Sequence, residues 1–293
     1  MSVNGGVFKR WFGNFLVTDD TSHTADQYTK FGIPASAIPA PPASAGGAAL
    51  PTTGLNTTGF FLVNDARAAT PLTGLSDTMF PNSSVYDHWI GFDIGINARL
   101  PHGVIIQGGL STGHQTTDYC DVQDPAKAGN QALVEMLLVA GSNTSINTCH
   151  MEQKWLPQVK FLGSYTVPKI DVQLGASYQS IPGVEMAANL PASNSGVIQP
   201  ALGRLPIIGA TTGSTTLSIL QPGSNYYTRF NQVDVRLGKI IRIAHTKSNL
   251  SLDIYNIANS DVISGLTATY TSWLAPTTVV APRLLKVSWT LDF

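Results

Sequence analysis

The feature that most constrains this chain is the rhythm of its connections. About eight stretches carry period-two patterning, and the segments between them run long, short, long, short, long, short, long. Period two means a strand with one apolar and one polar face. The last stretch, residues 283–293, shows it clearly. Leu285, Val287, Trp289, Leu291 and Phe293 fall on one face, and Leu284, Lys286, Ser288, Thr290 and Asp292 on the other. Antiparallel strands joined alternately by tight turns and long excursions predict an all-β protein.

The remaining strands are read in order. Residues 2–18 form a strand interrupted by Gly5, Gly6 and Gly13, and residues 19–84 form a long loop with a short apolar strand at Phe60, Phe61, Leu62 and Val63. Ile90, Phe92, Ile94, Ile96 and Ala98 alternate with Asp93, Asn97 and Arg99. A Pro101-His102-Gly103 turn leads into Val104, Ile106, Gly108 and Leu110, so the pair is a hairpin. A second long loop spans 116–154, with a helix expected over 132–140. Strands at 155–167 and 170–178 turn at Pro168 and Lys169. The third long loop, 182–224, is rich in Asn, Pro and Gly. A strand to Ile243 turns over 244–247 and returns from Leu250 to Asn256. The fourth excursion, 260–281, leads to the terminal strand.

Composition narrows the class. Charged residues make up 12% of the chain, about half the usual ~25%, which is sparse for a water-exposed surface. Lys+Arg of 17 nearly balances Asp+Glu of 18, so nucleic acid, which wants a basic face, is not an expected partner. No stretch approaches the ~18 apolar residues of a membrane helix, so any span must be made by strands. The start, MSVNGGVFKRW, has no apolar secretory core. These features predict an antiparallel transmembrane β-barrel with short periplasmic turns and long extracellular loops. Trp11, Trp89, Trp155, Tyr165, Tyr178, Tyr226, Tyr227, Tyr255 and Trp289 lie near expected strand ends, where an interfacial girdle belongs. Cys120 and Cys149 fall in one loop and form a candidate disulfide if the compartment is oxidising.

Three stretches carry a more specific resemblance: SVNGGVFKRWFGNFLVT at 2–18, VKFLGSYTVPKIDVQLGASYQSIP at 159–182, and RFNQVDVRLGKIIRI with SLDIYNIANS and the PRLLKVSWTLDF ending. They resemble the C-terminal barrel of TonB-dependent outer-membrane receptors, in the subgroup with a carboxypeptidase-regulatory-like N-terminal domain. The family implies a barrel of about 22 strands, a plug domain and a TonB box. This chain has room for about eight strands and shows neither plug nor TonB box, so residues 1–293 are expected to be a single region, the C-terminal portion of such a barrel. The resemblance implies a Gram-negative outer-membrane location and uptake of a large nutrient, such as a siderophore, vitamin or glycan. It also implies contact with outer-membrane lipid, recognition of Leu285, Val287, Trp289, Leu291 and Phe293 by the barrel-insertion machinery, and engagement of TonB only through missing N-terminal parts. No cofactor is implied. Two alternatives stay open: a stand-alone, porin-like small pore, and an extracellular all-β adhesion module whose apolar faces are buried in a sandwich.

The candidate lumen-lining residues are Asp93, Asn97, Arg99, Gln107, Gln158, Lys160, Asp171, Gln173, Asp234, Arg236, Asp253 and Lys286. If Arg99, Lys160, Arg236 or Lys286 faced lipid at midplane, each would cost roughly 2–4 kcal/mol, so their faces test the assignment. Catalysis is not expected. Gly109-Leu110-Ser111-Thr112-Gly113 matches a nucleophile elbow, but that motif needs a strand, a sharp turn and a helix. The spacing of Cys120, Cys149, His150 and His114 matches no zinc pattern. Asn56, Asn82 and Asn143 begin sequons that matter only in a eukaryotic secreted protein.

Overall fold

The computed structural model describes residues 1–20, 25–63, 75–79, 85–123, 145–206, 212–243 and 246–292. In chain order the strands are β1 (Ser2–Phe12), β2 (Leu16–Asp20), β3 (Tyr28–Gly32), β4 (Thr58–Val63), β5 (Leu75–Met79) and β6 (Tyr86–Leu100). Next come β7 (Val104–Asp118), β8 (His150–Glu152), β9 (Gln158–Val167), β10 (Val172–Ile181), β11 (Asn189–Ser193) and β12 (Ser214–Ser218). The last are β13 (Phe230–Ile243), β14 (Thr246–Tyr255), β15 (Ile263–Leu266), β16 (Pro276–Val279) and β17 (Leu284–Asp292).

Eight strands form one antiparallel sheet in the order β1-β6-β7-β9-β10-β13-β14-β17, and β8 pairs with the end of β7. The protein is therefore all-β and antiparallel, as the patterning predicts. The path follows chain order, with the smaller strands inserted in the long connections, and the short connections fall at one end of the sheet. One of them is the tight turn at His102 and Gly103, which take φ of 65° and 80°. The sheet is open: β1 and β17 are its edges, and no pairing joins them among the described residues.

Several expected boundaries move. The first strand breaks after Phe12, and Leu16–Asp20 leaves the sheet to pair with β5. Asn14, with φ 53°, sits in that break. In the other direction, β7 runs on to Asp118, past the expected loop start at Thr116, because β6 offers it a partner as far as Tyr86. The expected helix at 132–140, most of the turn at 244–245, Asn82, Asn143 and Phe293 lie outside the described residues.

The register puts a continuous apolar surface on one face. Val7 pairs with Phe92, Ile94 with Leu110, Leu174 with Leu237, Leu237 with Leu252, and Leu252 with Val287. This face is exposed: Val7 by 79%, Leu174 by 45%, Val287 by 72% and Trp289 by 69%. The opposite face is polar, yet Ser251 and Asp253 on it are buried. Among the described residues of the eight strands, only Ala98 and Ile240 have buried apolar side chains. A water-soluble sandwich has the reverse arrangement, with apolar faces turned inward.

The buried core lies elsewhere. Phe31, Ile33, Ala45, Phe60, Ala188, Leu190, Ala192, Ile198, Leu217, Ile219, Leu220, Tyr270, Trp273 and Leu274 form one cluster. All come from the long connections, which build the small hairpins β3–β4, β11–β12 and β15–β16. Trp273 is fully buried and donates from Nε1 to the Ala187 carbonyl at 3.0 Å, while the Tyr270 hydroxyl donates to the Pro39 carbonyl at 2.9 Å. Backbone bonds from Asn56 to Ile219 and from Asn189 to Ala268 tie the three connections together. The Ser145 hydroxyl donates to the Thr58 carbonyl, and Asn147 Nδ2 donates to Thr58 Oγ1 at 2.9 Å, bringing in the fourth. The sequence suggested loops; the structure has an interlocked cap.

Candidate functional site

Eleven of the twelve polar residues singled out from sequence share one face. Asp93, Asn97 and Arg99 lie on β6, Gln107 on β7, Gln158 and Lys160 on β9, Gln173 on β10, Asp234 and Arg236 on β13, Asp253 on β14 and Lys286 on β17. Asp171 instead occupies the tight turn before β10, with φ 50°, where Arg242 Nη1 reaches it at 2.6 Å. Arg99, Lys160, Arg236 and Lys286 all point to the polar side. Two lysines do lie on the apolar face, and both have local partners. Lys9 Nζ sits 4.7 Å over the Trp11 ring, and Lys239 Nζ donates to the Ile170 carbonyl at 2.5 Å. The Lys239 ammonium thus reaches a backbone carbonyl, and the Lys9 ammonium lies against an aromatic face.

The polar face has two unlike halves. In the β10–β13–β14 half the charged groups satisfy one another. Arg236 grips Asp253 with two bonds, Nε to Oδ1 at 2.5 Å and Nη2 to Oδ2 at 2.9 Å. The carboxylate side chain is only 5% exposed, so the guanidinium replaces the water that it lacks. Lys286 of β17 stands opposite Asp253 in the strand register. Asp234 accepts from the Asn256 backbone N–H at 2.8 Å, from Gln232 Nε2 at 2.7 Å and from Ser177 Oγ at 3.3 Å. Asn256, 2% exposed, then donates from Nδ2 to the Ser260 and Ala281 carbonyls and accepts from the Ser260 N–H. That side chain closes the base of the excursion between β14 and β17. Its positive φ of 50° suits Asn. Asn256 was not picked out as functional from sequence; a lone Asn at the end of a strand gives no sign of a structural hub.

In the β1–β6–β7–β9 half, Asp93, Arg99, Gln107, Gln158 and Lys160 make no side-chain hydrogen bond or ion pair among the described residues. A cleft of about 380 Å³ lies here, lined by Phe8, Arg10, Trp89, Asp93, Ser111 and Gln158, with Gln153 and Leu156 as a wall. A second cleft shares Asp93, Ser111 and Gln158 with it and reaches Lys160. A third shares Lys160 with the second and reaches Asp234, and a fourth continues from Asp234 to Arg236 and Asp253. Shared linings make these one trough across the polar face.

The aromatic positions sort by face. Trp11, Tyr165, Tyr178 and Trp289 lie on the apolar face, and Trp155 stacks on His114 of that face at 5.8 Å. Trp89 and Tyr255 are on the polar side, and Tyr227 packs against the cap core, so these do not belong to an outward girdle. Trp89 sits at an odd position beside Gly91 and Asp93, so the alternation in the sequence already gave its face.

At the cap end, Cys120 and Cys149 form a disulfide with Cα atoms 4.7 Å apart. Beside it His150 Nδ1 lies 2.9 Å from Asp118 Oδ2, and Nε2 lies 3.6 Å from Glu152. The Asp118 hydrogen bond raises the His150 pKa above its ordinary value, against a smaller lowering by burial. Since the cysteines are bonded to each other, they are not metal ligands. Gly109-Leu110-Ser111-Thr112-Gly113 runs straight through the middle of β7, without the turn and helix of a nucleophile elbow. Asn56 is buried within the cap. No helix among the described residues is long and apolar enough to cross a membrane. No family model matches the chain, and no curated protein matches it.

Proposed function

We propose that this chain forms part of the barrel of a TonB-dependent receptor in a Gram-negative outer membrane, serving uptake of a large nutrient. One observation carries the reading: one face of the sheet is a continuous apolar surface with Val7, Ile94, Leu174, Leu237, Leu250 and Val287 exposed on it, while the opposite face carries most of the charged and polar side chains. Exposed apolar patches beyond a few hundred Å² mark a binding surface, and one spanning a whole sheet matches lipid hydrocarbon. In this reading the apolar face meets lipid, the polar trough lines the solute path, the short turns are periplasmic and the cap is extracellular. The open edges favour membership of a larger barrel over a stand-alone pore. Each edge leaves a row of unpaired backbone N–H and C=O groups, which hydrocarbon does not tolerate. TonB acts through parts of the receptor outside this chain.

The test is refolding into detergent micelles, followed by gel mobility with and without boiling. The expected result is a strong strand signal that depends on detergent, with aggregation through the free edges when detergent is withdrawn. Heat-modifiable migration of a compact monomer favours the small pore, with β1 closing on β17. A stable monomer in plain buffer overturns the membrane reading.

A further inference from the structure

We infer that the cleft formed by Phe8, Arg10, Trp89, Asp93, Ser111 and Gln158 is a subsite for a neutral pyranose unit of an oligosaccharide. As a statement about the transported solute, this rests on the receptor reading; as a statement about binding, it does not.

The floor of the cleft is aromatic. Trp89 lies down over Gly91 on its own strand and Gly113 on the next, where a Cβ at either glycine would collide with the indole. The indole thus covers bare backbone at both glycines, and the Arg10 guanidinium lies over the ring, 5.4 Å from its centroid. Phe8 lies over Gly6 in the same way, and a Cβ there would come within 2.7 Å of its ring. Phe8 pairs with Gly91 across β1 and β6, so the two rings tile adjacent positions.

The rim is polar and uncommitted. Asp93, Ser111 and Gln158 are cross-strand neighbours on one row of the sheet. None has a side-chain partner among the described residues, unlike the paired groups around Arg236 and Asp253. Together they offer a carboxylate acceptor, a hydroxyl and an amide with both roles, and Gln153 adds a second amide from the wall. Vicinal hydroxyls, each donor and acceptor, match this mixture. The charges in the lining are Arg10, held 5.4 Å over Trp89, and Asp93, which cancel. A phosphate or an anionic chelate thus finds no net countercharge. A pyranose needs none, and its flat C–H face suits the half-exposed Phe8 ring beside the Arg10–Trp89 pair. A volume of about 380 Å³ is at the small end of ligand sites, roughly 300–1,000 Å³, room for one or two sugar units.

The chain is refolded in an amine-oxide detergent, which carries no sugar headgroup, and folded material is selected by its circular dichroism. It is titrated by calorimetry with maltohexaose, cellohexaose, 2,3-dihydroxybenzoate and inorganic phosphate. The expected result is saturable binding of at least one hexasaccharide, weakened about tenfold or more by Trp89→Ala and by Asp93→Asn. Tyr165→Phe, on the opposite face, leaves it unchanged. Should Trp89→Ala not fold, Asp93→Asn and Trp89→Phe decide the matter. Binding of dihydroxybenzoate or phosphate with both sugars silent overturns the inference, as does sugar binding indifferent to these variants. A detergent-dependent strand protein that binds no sugar sinks the subsite alone. A water-soluble monomer that binds sugar through Trp89 sinks the receptor reading and leaves the subsite standing.

Discussion

Trp273 in the cap is fully buried with its indole N–H bonded to a backbone carbonyl, whereas Trp289 in the sheet is 69% exposed. The same contrast holds for the two regions at large. The cap gathers apolar side chains from distant connections into a closed cluster, as a water-soluble domain does. The sheet leaves most of its large apolar side chains exposed and buries the Asp253 carboxylate beneath Arg236. The two regions therefore draw stability from different sources: the cap from burial against itself, the sheet from its backbone ladder and whatever covers its apolar face.

The strongest way to break that comparison is Trp273→Ala. Removing a fully buried indole costs about 3–5 kcal/mol, and the loss is expected in the cap alone. Limited proteolysis should cut rapidly within 182–229 and 256–283 while the strand circular dichroism stays near wild type. Collapse of both together would mean that cap and sheet are one cooperative unit. Breaking the disulfide with Cys120→Ser and Cys149→Ser comes next. For a sequence separation of 29, loop-closure entropy suggests roughly 3–4 kcal/mol. Reductant on the wild type should lower the cap's thermal midpoint by the same amount as the double variant, with the strand signal again spared.

A matched pair sharpens the contrast within the sheet. Leu237 and Leu162 are both 48% exposed, but Leu237 lies on the apolar face and Leu162 on the polar face. In water equal exposure predicts equal tolerance. Against lipid, Leu237→Arg should cost about 2–4 kcal/mol, while Leu162→Arg, facing the trough, should be nearly silent. Refolding yield into lipid vesicles, compared between the two, reads the difference. Equal yields would remove the lipid-facing assignment.

The sheet was legible in the sequence because period-two patterning reports strands and faces at once. Leu285, Val287, Trp289 and Leu291 needed only their spacing to be placed on one side. The cap was not legible, because its core is made from fragments without period. Phe31, Ala188, Leu217 and Trp273 sit far apart in sequence, among Pro, Gly and Ser that read as loop. Their burial depends on long-range backbone bonds that no local pattern encodes. The trough falls between these cases. Asp93, Gln107, Lys160 and Arg236 were found as a polar stripe, but Phe8 and Trp89 were not: Trp89 read as an interfacial anchor near a strand end, and no local pattern shows that either ring lies over glycine.

The smallest expected effect concerns the join between the two regions, where β8 fastens to the end of β7. His150 hydrogen-bonds Asp118 and lies near Glu152, outside the strands read as spanning the membrane, and these partners raise its pKa in the fold. A folded-state pKa above the unfolded value of about 6.5 adds stability that is fully present below that value. The contribution is lost as pH rises through the folded pKa. With the imidazole side chain 45% exposed, solvent screens the pair and the gain should stay under about 1 kcal/mol. The cap's thermal midpoint should thus fall slightly between mildly acidic and mildly alkaline buffer. His150→Gln, which keeps a donor without the charge, should flatten that slope while leaving the alkaline value almost unchanged. An unaltered slope in His150→Gln would move the titration elsewhere and leave the β7–β8 join held by the disulfide and backbone pairing alone.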